Sequence, residues 1–210
     1  MKRLLIAIVV GAIVSSCVPS ETAAAGRSLL PPGSSIRVAR GAGWTPSGLE
    51  GPSDPPGTCH YRDSRGYDLP DPACTPGSID PSVTSANIDQ TICRSGGYTS
   101  SVRPPETLTE PAKQASMAAY SDPLPTSRTE LDHLIPLSLG GSSDLANLWA
   151  QPDQGSPAAF SPDDPYGINA KDGVEDVLHQ AVCHGRVPLA ATREAIASNW
   201  TTALARLGLP

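Results

Sequence analysis

The chain has 210 residues and a formal net charge of −6. Such an acidic chain has little long-range attraction for nucleic acid, which excludes a DNA-binding protein that depends on a strongly basic surface. The 23 prolines and 19 glycines, against a single phenylalanine, predict a loop-rich fold with little regular sheet and a thin core. The length is sufficient for one domain of ordinary size.

The N-terminus has the pattern of a bacterial export signal. Lys2 and Arg3 precede an apolar run, residues 4–14, that is too short to span a bilayer as a helix of the mature protein. The run ends in a sequence that resembles a lipobox, so we predict that residues 1–17 are a signal peptide and that Cys17 carries a lipid anchor. The alternative is an ordinary signal peptide cut near residues 23–25. Both alternatives export the chain, to the cell envelope or the medium.

The rest of the chain divides at about residue 57. Residues 18–57 are rich in Pro, Gly, Ser and Ala and have no sustained apolar period, which predicts a flexible tether. Residues 58–210 are predicted to form a single α+β domain that is soluble and monomeric, with a membrane contact only through the lipid.

The cysteines indicate an oxidising compartment. Without Cys17 an even number remains, which predicts two disulfides. Three pairings are possible. We favour Cys59 with Cys74 and Cys93 with Cys183, the second of which closes a long loop. A zinc site is the alternative, although no Cys-x-x-Cys pair is present.

Apolar spacing predicts several helices. Residues 83–92 permit a short helix, and residues 110–120 carry helix-forming side chains with Pro111 placed in the first turn. The clearest pattern covers residues 170–184, where apolar side chains recur every three or four positions and Gly185 provides a stop. A further helix is predicted to begin near Leu189.

Residues 130–149 are the most informative segment. They contain the pair Asp132-His133 in an aliphatic frame, then Gly140-Gly141, and then Asn147 before Leu148-Trp149. Together with the later Asn169-Ala170-Lys171-Asp172, this order resembles an HNH endonuclease, most closely its exported bacterial members. The resemblance implies a ββα-metal core: a hairpin with Asp132-His133 on its first strand and Asn147 in or beside its second, followed by a helix from about Asn169.

The chemistry of phosphodiester hydrolysis suits these residue types. An imidazole can take a proton from water near neutral pH, which makes His133 the candidate general base. The resemblance implies that Asn147 orders the loop and orients this histidine. It also implies that Asp132 and Asn169 hold a divalent cation, Mg²⁺ or Mn²⁺ before Ca²⁺, with Asp172 as the rival of Asn169.

Two basic residues are weaker candidates for substrate binding. Arg103 could hold a phosphate, or it could form a structural salt bridge. Lys171 could face the phosphate backbone, or it could be a surface lysine paired with a neighbouring acid. His179 is expected to be structural or exposed, and Trp149 and Trp200 are expected to pack in the core rather than stack on bases.

These observations predict a metal-dependent endonuclease of low specificity that acts on DNA or RNA outside the cytoplasm. No helix-turn-helix, zinc finger or Gly-rich phosphate loop accompanies the site, so sequence-specific recognition is not expected. A catalytically silent envelope lipoprotein that uses the same scaffold for binding is the alternative, and a hydrolase of another phosphodiester is a further one.

Overall fold

The computed structural model describes residue 30, residues 35–153 and residues 169–210. The predicted signal peptide, Cys17 and the first part of the predicted tether lie outside the described residues. The strands are β1 (Arg37–Val38), β2 (Trp44–Thr45), β3 (Gly48–Leu49), β4 (Arg62–Ser64), β5 (Tyr67–Leu69), β6 (Ser78–Ile79), β7 (Thr129–His133) and β8 (Leu148–Pro152). The helices are α1 (Thr99–Val102), α2 (Glu106–Tyr120), α3 (Ala170–Cys183), α4 (Leu189–Asn199) and α5 (Ala203–Arg206).

The described residues thus combine helices with small sheets, in agreement with the predicted α+β class. Each sheet has two strands; β1 and β6 are parallel, and the pairs β2–β3, β4–β5 and β7–β8 are antiparallel. Within these residues, no helix is both long enough and apolar enough to span a membrane.

Among the described strands, β7 and β8 form the longest pairing, and every residue of β8 is buried. Asp132 pairs with Trp149 and His133 with Leu148 across the two strands. The hydrogen bond from the Leu134 N–H to the Asn147 carbonyl extends the pairing by one step, at 2.8 Å. The long loop between the strands contains two turns of 3-10 helix, Leu137–Leu139 and Leu145–Asn147.

The C-terminal helices pack on one another behind this hairpin. Leu178, Ala181 and Val182 of α3 are buried together with Ile196 of α4 and Trp200. The apolar face predicted for α3 is therefore confirmed, and both helices occur where the sequence predicts them. After α3 the chain turns at Gly185, whose φ of +67° suits a residue without a Cβ.

Two helix predictions in the first half need correction. Helix α2 begins at Glu106, earlier than predicted, so Pro111 lies inside it rather than in its first turn. In the segment 83–92 only a 3-10 turn forms, at Ile88–Gln90. The side chain of Asn87 accepts a hydrogen bond from the Thr84 N–H and donates one to the Ser82 carbonyl, both at 2.8 Å. Such local bonds compete with helical ones, which explains the difference.

Both predicted disulfides are present. Cys59 bonds to Cys74, and Cys93 on the loop before α1 bonds to Cys183 at the end of α3. The second bridge joins residues 90 positions apart and fixes α3 to the N-terminal half of the domain. The disulfides indicate an oxidising, extracytoplasmic environment.

The chain packs on the domain from residue 35, well before the predicted end of the tether at residue 57. β1 pairs with β6, and the Ser143 N–H donates to the Ala42 carbonyl at 2.7 Å. A Cβ on Gly43 would lie 2.3 Å from the Asp144 nitrogen, so this contact needs glycine. The indole of Trp44 donates to the Val102 carbonyl at 2.7 Å. Composition did not reveal this because the contacts are mostly made by backbone atoms.

Candidate functional site

The side chain of Asn147 organises the hairpin loop. Its Oδ1 accepts hydrogen bonds from the N–H groups of Ile135 at 3.0 Å and Ser78 at 3.2 Å. Its Nδ2 donates to the carbonyls of Ile135 at 2.9 Å and Ser142 at 2.8 Å. The side chain is fully buried, so an amide, with both donors and acceptors, is the group that these four backbone partners require. These bonds order the loop, as expected of Asn147, but none of them is to the His133 side chain, which this residue was also expected to orient.

A buried arginine holds the same loop from the other side. Arg193 of α4 donates from Nε to the Leu139 carbonyl at 2.8 Å and from Nη2 to the Val83 carbonyl at 3.1 Å. Gly140 is closely covered by this guanidinium, since a Cβ there would lie 2.3 Å from Nη2. The loop that follows His133 is therefore fixed on both faces, which favours a rigid site.

His133 is the last residue of β7, and its side chain turns towards the loop. Its Nε2 lies 2.9 Å from the Oγ of Ser143, and the residue is 9% exposed. Burial, followed by the positive charges of Arg103 and Lys171, lowers the pKa of His133 to about 3. The imidazole is therefore neutral at physiological pH, with one protonated and one unprotonated nitrogen, and the tautomer decides whether Nε2 donates to Ser143 or accepts from it.

Asp132 turns to the opposite side of the strand, as neighbouring residues on a strand do. Its Oδ2 accepts a hydrogen bond from the indole of Trp149 at 2.7 Å. The ammonium of Lys171 lies 3.0 Å from Oδ1 and 2.8 Å from Oδ2. Both carboxylate oxygens are therefore engaged by groups of the chain itself.

Lys171 is completely buried at the start of α3. Besides Asp132, its ammonium donates to the His133 carbonyl at 2.8 Å and to the carboxylate of Glu175, one turn along the helix. Burial alone would lower the pKa of Lys171, but the two carboxylates more than offset this and raise it, so the amine is charged. The prediction that Lys171 contacts a phosphate backbone is wrong, because the ammonium does not reach the surface.

The residues that begin α3 are used to cap the helix. Asn169 is the N-cap, and its N–H donates to the Asp172 carboxylate at 3.1 Å. The Asn169 amide donates from Nδ2 to Glu130 Oε2 at 3.2 Å. Partial burial and the nearby charge of Glu130 raise the pKa of Asp172 to about 6. Asn169 and its rival Asp172 therefore interact with each other and with Glu130 rather than with Asp132.

These contacts do not fit the predicted divalent ion at Asp132 and Asn169. A hard cation needs several oxygen ligands that face a common point, whereas the Asp132 oxygens already face the Lys171 ammonium. Among the described residues, the groups of three close metal-ligating side chains are Cys93–His179–Cys183 and Asp54–Cys59–Cys74. In each group the two sulfurs are bonded to one another, and the thiolate rather than the disulfide binds metals.

An open groove of about 700 Å³ runs beside the hairpin. Arg94 and Arg103 line one wall, while Asp172, Glu175 and His179 of α3 line the other. Within the part of the chain that the structure describes, no ion pair involves Arg103. The groove therefore presents an exposed guanidinium that forms no ion pair with any other described residue, opposite an acidic helix. The Nε2 of His179 lies 2.9 Å from the Ile92 carbonyl. Among the described residues, His179 forms no hydrogen bond with a residue of the predicted site.

Two partners within the site were not named from the sequence. Glu175, four positions after Lys171, is the neighbouring acid that the alternative for Lys171 allowed, although the lysine is buried rather than at the surface. Ser143 gave no comparable signal, because its contact with His133 depends on the path of the loop. Trp149 and Trp200 are buried as predicted, and the Trp149 indole also donates to Asp132.

No family model, curated protein or solved structure matches this chain.

Proposed function

We propose that this domain is an exported endonuclease of low specificity, which hydrolyses phosphodiester bonds with His133 as the general base. The observation that carries the proposal is a buried, neutral imidazole that is hydrogen-bonded to Ser143 and senses the charge of Arg103, beside a loop fixed by Asn147. A lipid anchor at Cys17 is part of the same proposal.

The proposed base works through the nitrogen that remains unprotonated. A neutral imidazole can accept a proton from an attacking water. Arg103 is suited to bind the phosphate, since a guanidinium presents donors in a planar fork that matches phosphate oxygens. A bound phosphate would offset the Arg103 charge that lowers the pKa of His133. Substrate binding would therefore raise this pKa, while burial, the larger cause of its low value, would remain.

The charge distribution favours low affinity and low specificity. Of the two arginines on the groove wall, Arg94 is engaged by the Gly97 carbonyl and the Ser101 hydroxyl, which leaves Arg103 for a phosphate. The acidic residues of α3 on the opposite wall repel a second strand or a long run of phosphates. A short or single-stranded contact, with one phosphate at Arg103, suits this groove better than an extended duplex does.

One observation favours a second candidate, a catalytically silent scaffold. Asp132 would be expected to assist catalysis directly. Its carboxylate is instead neutralised by the Lys171 ammonium. A domain that retained only the frame of the site could bind another envelope component in the groove. The two candidates differ in whether His133 has a chemical role.

Cleavage of supercoiled plasmid, single-stranded DNA and RNA by the purified chain separates these candidates. We expect cleavage by the wild type, at least a hundred-fold less by His133→Ala, in line with the usual contribution of a general base, and unchanged cleavage by His60→Ala, whose side chain is exposed. Cleavage that persists unchanged in His133→Ala would overturn the proposal. The absence of cleavage of all three substrates by the folded wild type would favour the scaffold.

A further inference from the structure

The Lys171 ammonium is buried and surrounded by oxygen atoms, a set of partners that we call the cage. Its partners are the Asp132 carboxylate, the His133 carbonyl and the Glu175 carboxylate, which come from β7 and α3. The side chain of Lys171 is 0% exposed and that of Asp132 is 6% exposed. An ammonium has three N–H donors, and three oxygen groups receive them.

The cage has the composition of a site for a cation. Two carboxylates and a backbone carbonyl are the ligand types that hard divalent ions prefer. They carry two negative charges when ionised, which exceed the single charge of the lysine. Burial raises the pKa of both Asp132 and Glu175, and the lysine opposes that rise. The cage therefore depends on an enclosed positive charge.

We propose that Lys171 is the resident cation of this site: its ammonium takes the place beside Asp132 that the HNH resemblance assigns to a divalent metal ion. The inference concerns the site of the proposed nuclease and rests on that proposal only for its catalytic consequence. The positive charge next to His133 is then supplied by the chain itself, and the organisation of the hairpin and α3 requires no metal.

A consequence is that removing the lysine should create a metal site. Without the ammonium, Asp132, Glu175 and the His133 carbonyl would surround a vacant, negatively charged space. Terbium is a suitable probe because it binds oxygen ligands and its luminescence is sensitised by a nearby indole. The Trp149 Nε1 lies 2.7 Å from Asp132 Oδ2, which places the sensitiser at the site.

The experiment is a terbium titration of the whole mature chain, excited through tryptophan. In the wild type we expect no terbium luminescence that depends on Asp132. In Lys171→Ala we expect a one-to-one site that binds terbium on the order of ten-fold tighter, or more, than the wild type does. The signal should be lost in the double variant Asp132→Asn/Lys171→Ala. Lys113→Ala is the matched control, since Lys113 lies on α2 and donates to the Thr126 carbonyl, away from the site.

The wild type provides the decisive measurement if Lys171→Ala does not fold. The inference would be overturned if the wild type bound terbium or Mn²⁺ one-to-one and Asp132→Asn abolished that binding. The lysine would then not exclude the metal. A folded Lys171→Ala chain that gains no site would also overturn it. Cleavage, where it occurs, is expected to persist in EDTA. Failure of the nuclease proposal leaves these binding results unaffected, so the two failures are distinguishable.

Discussion

The Lys171 ammonium lies 2.8 Å from the Asp132 carboxylate although the two residues stand 39 positions apart. This buried ion pair joins the first turn of α3 to the end of β7. The Lys171 hydrogen bond to the His133 carbonyl, also 2.8 Å, attaches the helix to the strand residue that carries the candidate base. The position of α3 relative to the hairpin is therefore fixed by charge as well as by packing.

The first prediction concerns the stability of this ion pair. Lys171→Ala leaves two carboxylates in the interior without their cation, and breaking one side of a buried pair costs about 3–5 kcal/mol. We expect a loss of that order in the free energy of unfolding at pH 7, measured by urea denaturation. The exposed-helix control Lys113→Ala should change it little. A loss below about 0.5 kcal/mol in Lys171→Ala, the range of ordinary surface changes, would contradict the buried role of the pair.

The pH dependence of stability provides a second prediction. His133 has a pKa of about 3 in the folded chain against 6.5 for an ordinary histidine, so the unfolded chain binds its proton first as pH falls. The stability that neutral His133 contributes is therefore complete above pH 6.5 and is lost as pH falls towards 3. Between pH 7 and pH 4 this loss amounts to at most about 3 kcal/mol.

The measurement is the difference in stability between the wild type and His133→Gln across that range. The variant cannot protonate, so we expect the wild type to lose stability relative to it on acidification. Asp172 acts with the opposite sign, because its pKa is raised to about 6 and its protonation favours the folded state. This residue is present in both chains, so its effect cancels. Parallel curves for the two chains would show that His133 is not buried as a neutral group.

The third prediction concerns the four hydrogen bonds of Asn147. Asn147→Asp keeps the size of the side chain but replaces the donor that faces the Ile135 and Ser142 carbonyls with a further oxygen. Leaving buried carbonyls unpaired costs about 1–3 kcal/mol each. We expect a loss of several kcal/mol at pH 7 in chemical denaturation. Gln90→Glu is the control, since it makes the same change from amide to carboxylate at an exposed residue. A stable Asn147→Asp chain would refute the organising role.

The disulfides allow a fourth prediction, based on loop length. Cys93–Cys183 closes a loop of 90 residues and Cys59–Cys74 one of 15. In the chain-entropy model the longer loop contributes more, about 4–5 against about 3 kcal/mol. We therefore expect Cys93→Ala/Cys183→Ala to unfold at lower guanidinium concentration than Cys59→Ala/Cys74→Ala. The reverse order would show that local packing at the shorter bridge outweighs chain entropy.

The sequence predicted those parts of the molecule that local patterns determine. The apolar period of α3 and α4, the Gly185 stop and the even number of cysteines each reflect a short-range or compositional rule. The prediction for Lys171 was wrong because a charged helix residue is normally exposed, and only the tertiary position of Asp132 makes its burial favourable. The role of residues 35–57 was missed for a related reason: backbone contacts such as the bond from the Ser143 N–H to the Ala42 carbonyl leave no mark on composition.

The fifth prediction tests how Arg103 acts on His133. Arg103 is exposed on the groove wall, and its charge lowers the pKa of His133. Removal of this charge in Arg103→Ala should raise the pKa of the imidazole, which an NMR titration of the His133 ring protons reports even in a chain that does not cleave. Where cleavage is observed, the acid limb of kcat/KM should move to higher pH, because this limb follows protonation of the base in the free enzyme.

The same variant should also weaken substrate binding, with a smaller loss in Arg103→Lys, which keeps the charge without the planar fork. Loss of one phosphate contact should reduce the salt dependence of binding by roughly one unit of logarithmic slope. Arg186→Ala is the matched control, because Arg186 is exposed in the turn after α3 and does not line the groove. An unchanged His133 titration in Arg103→Ala would separate the two residues electrostatically and remove Arg103 from the proposed site.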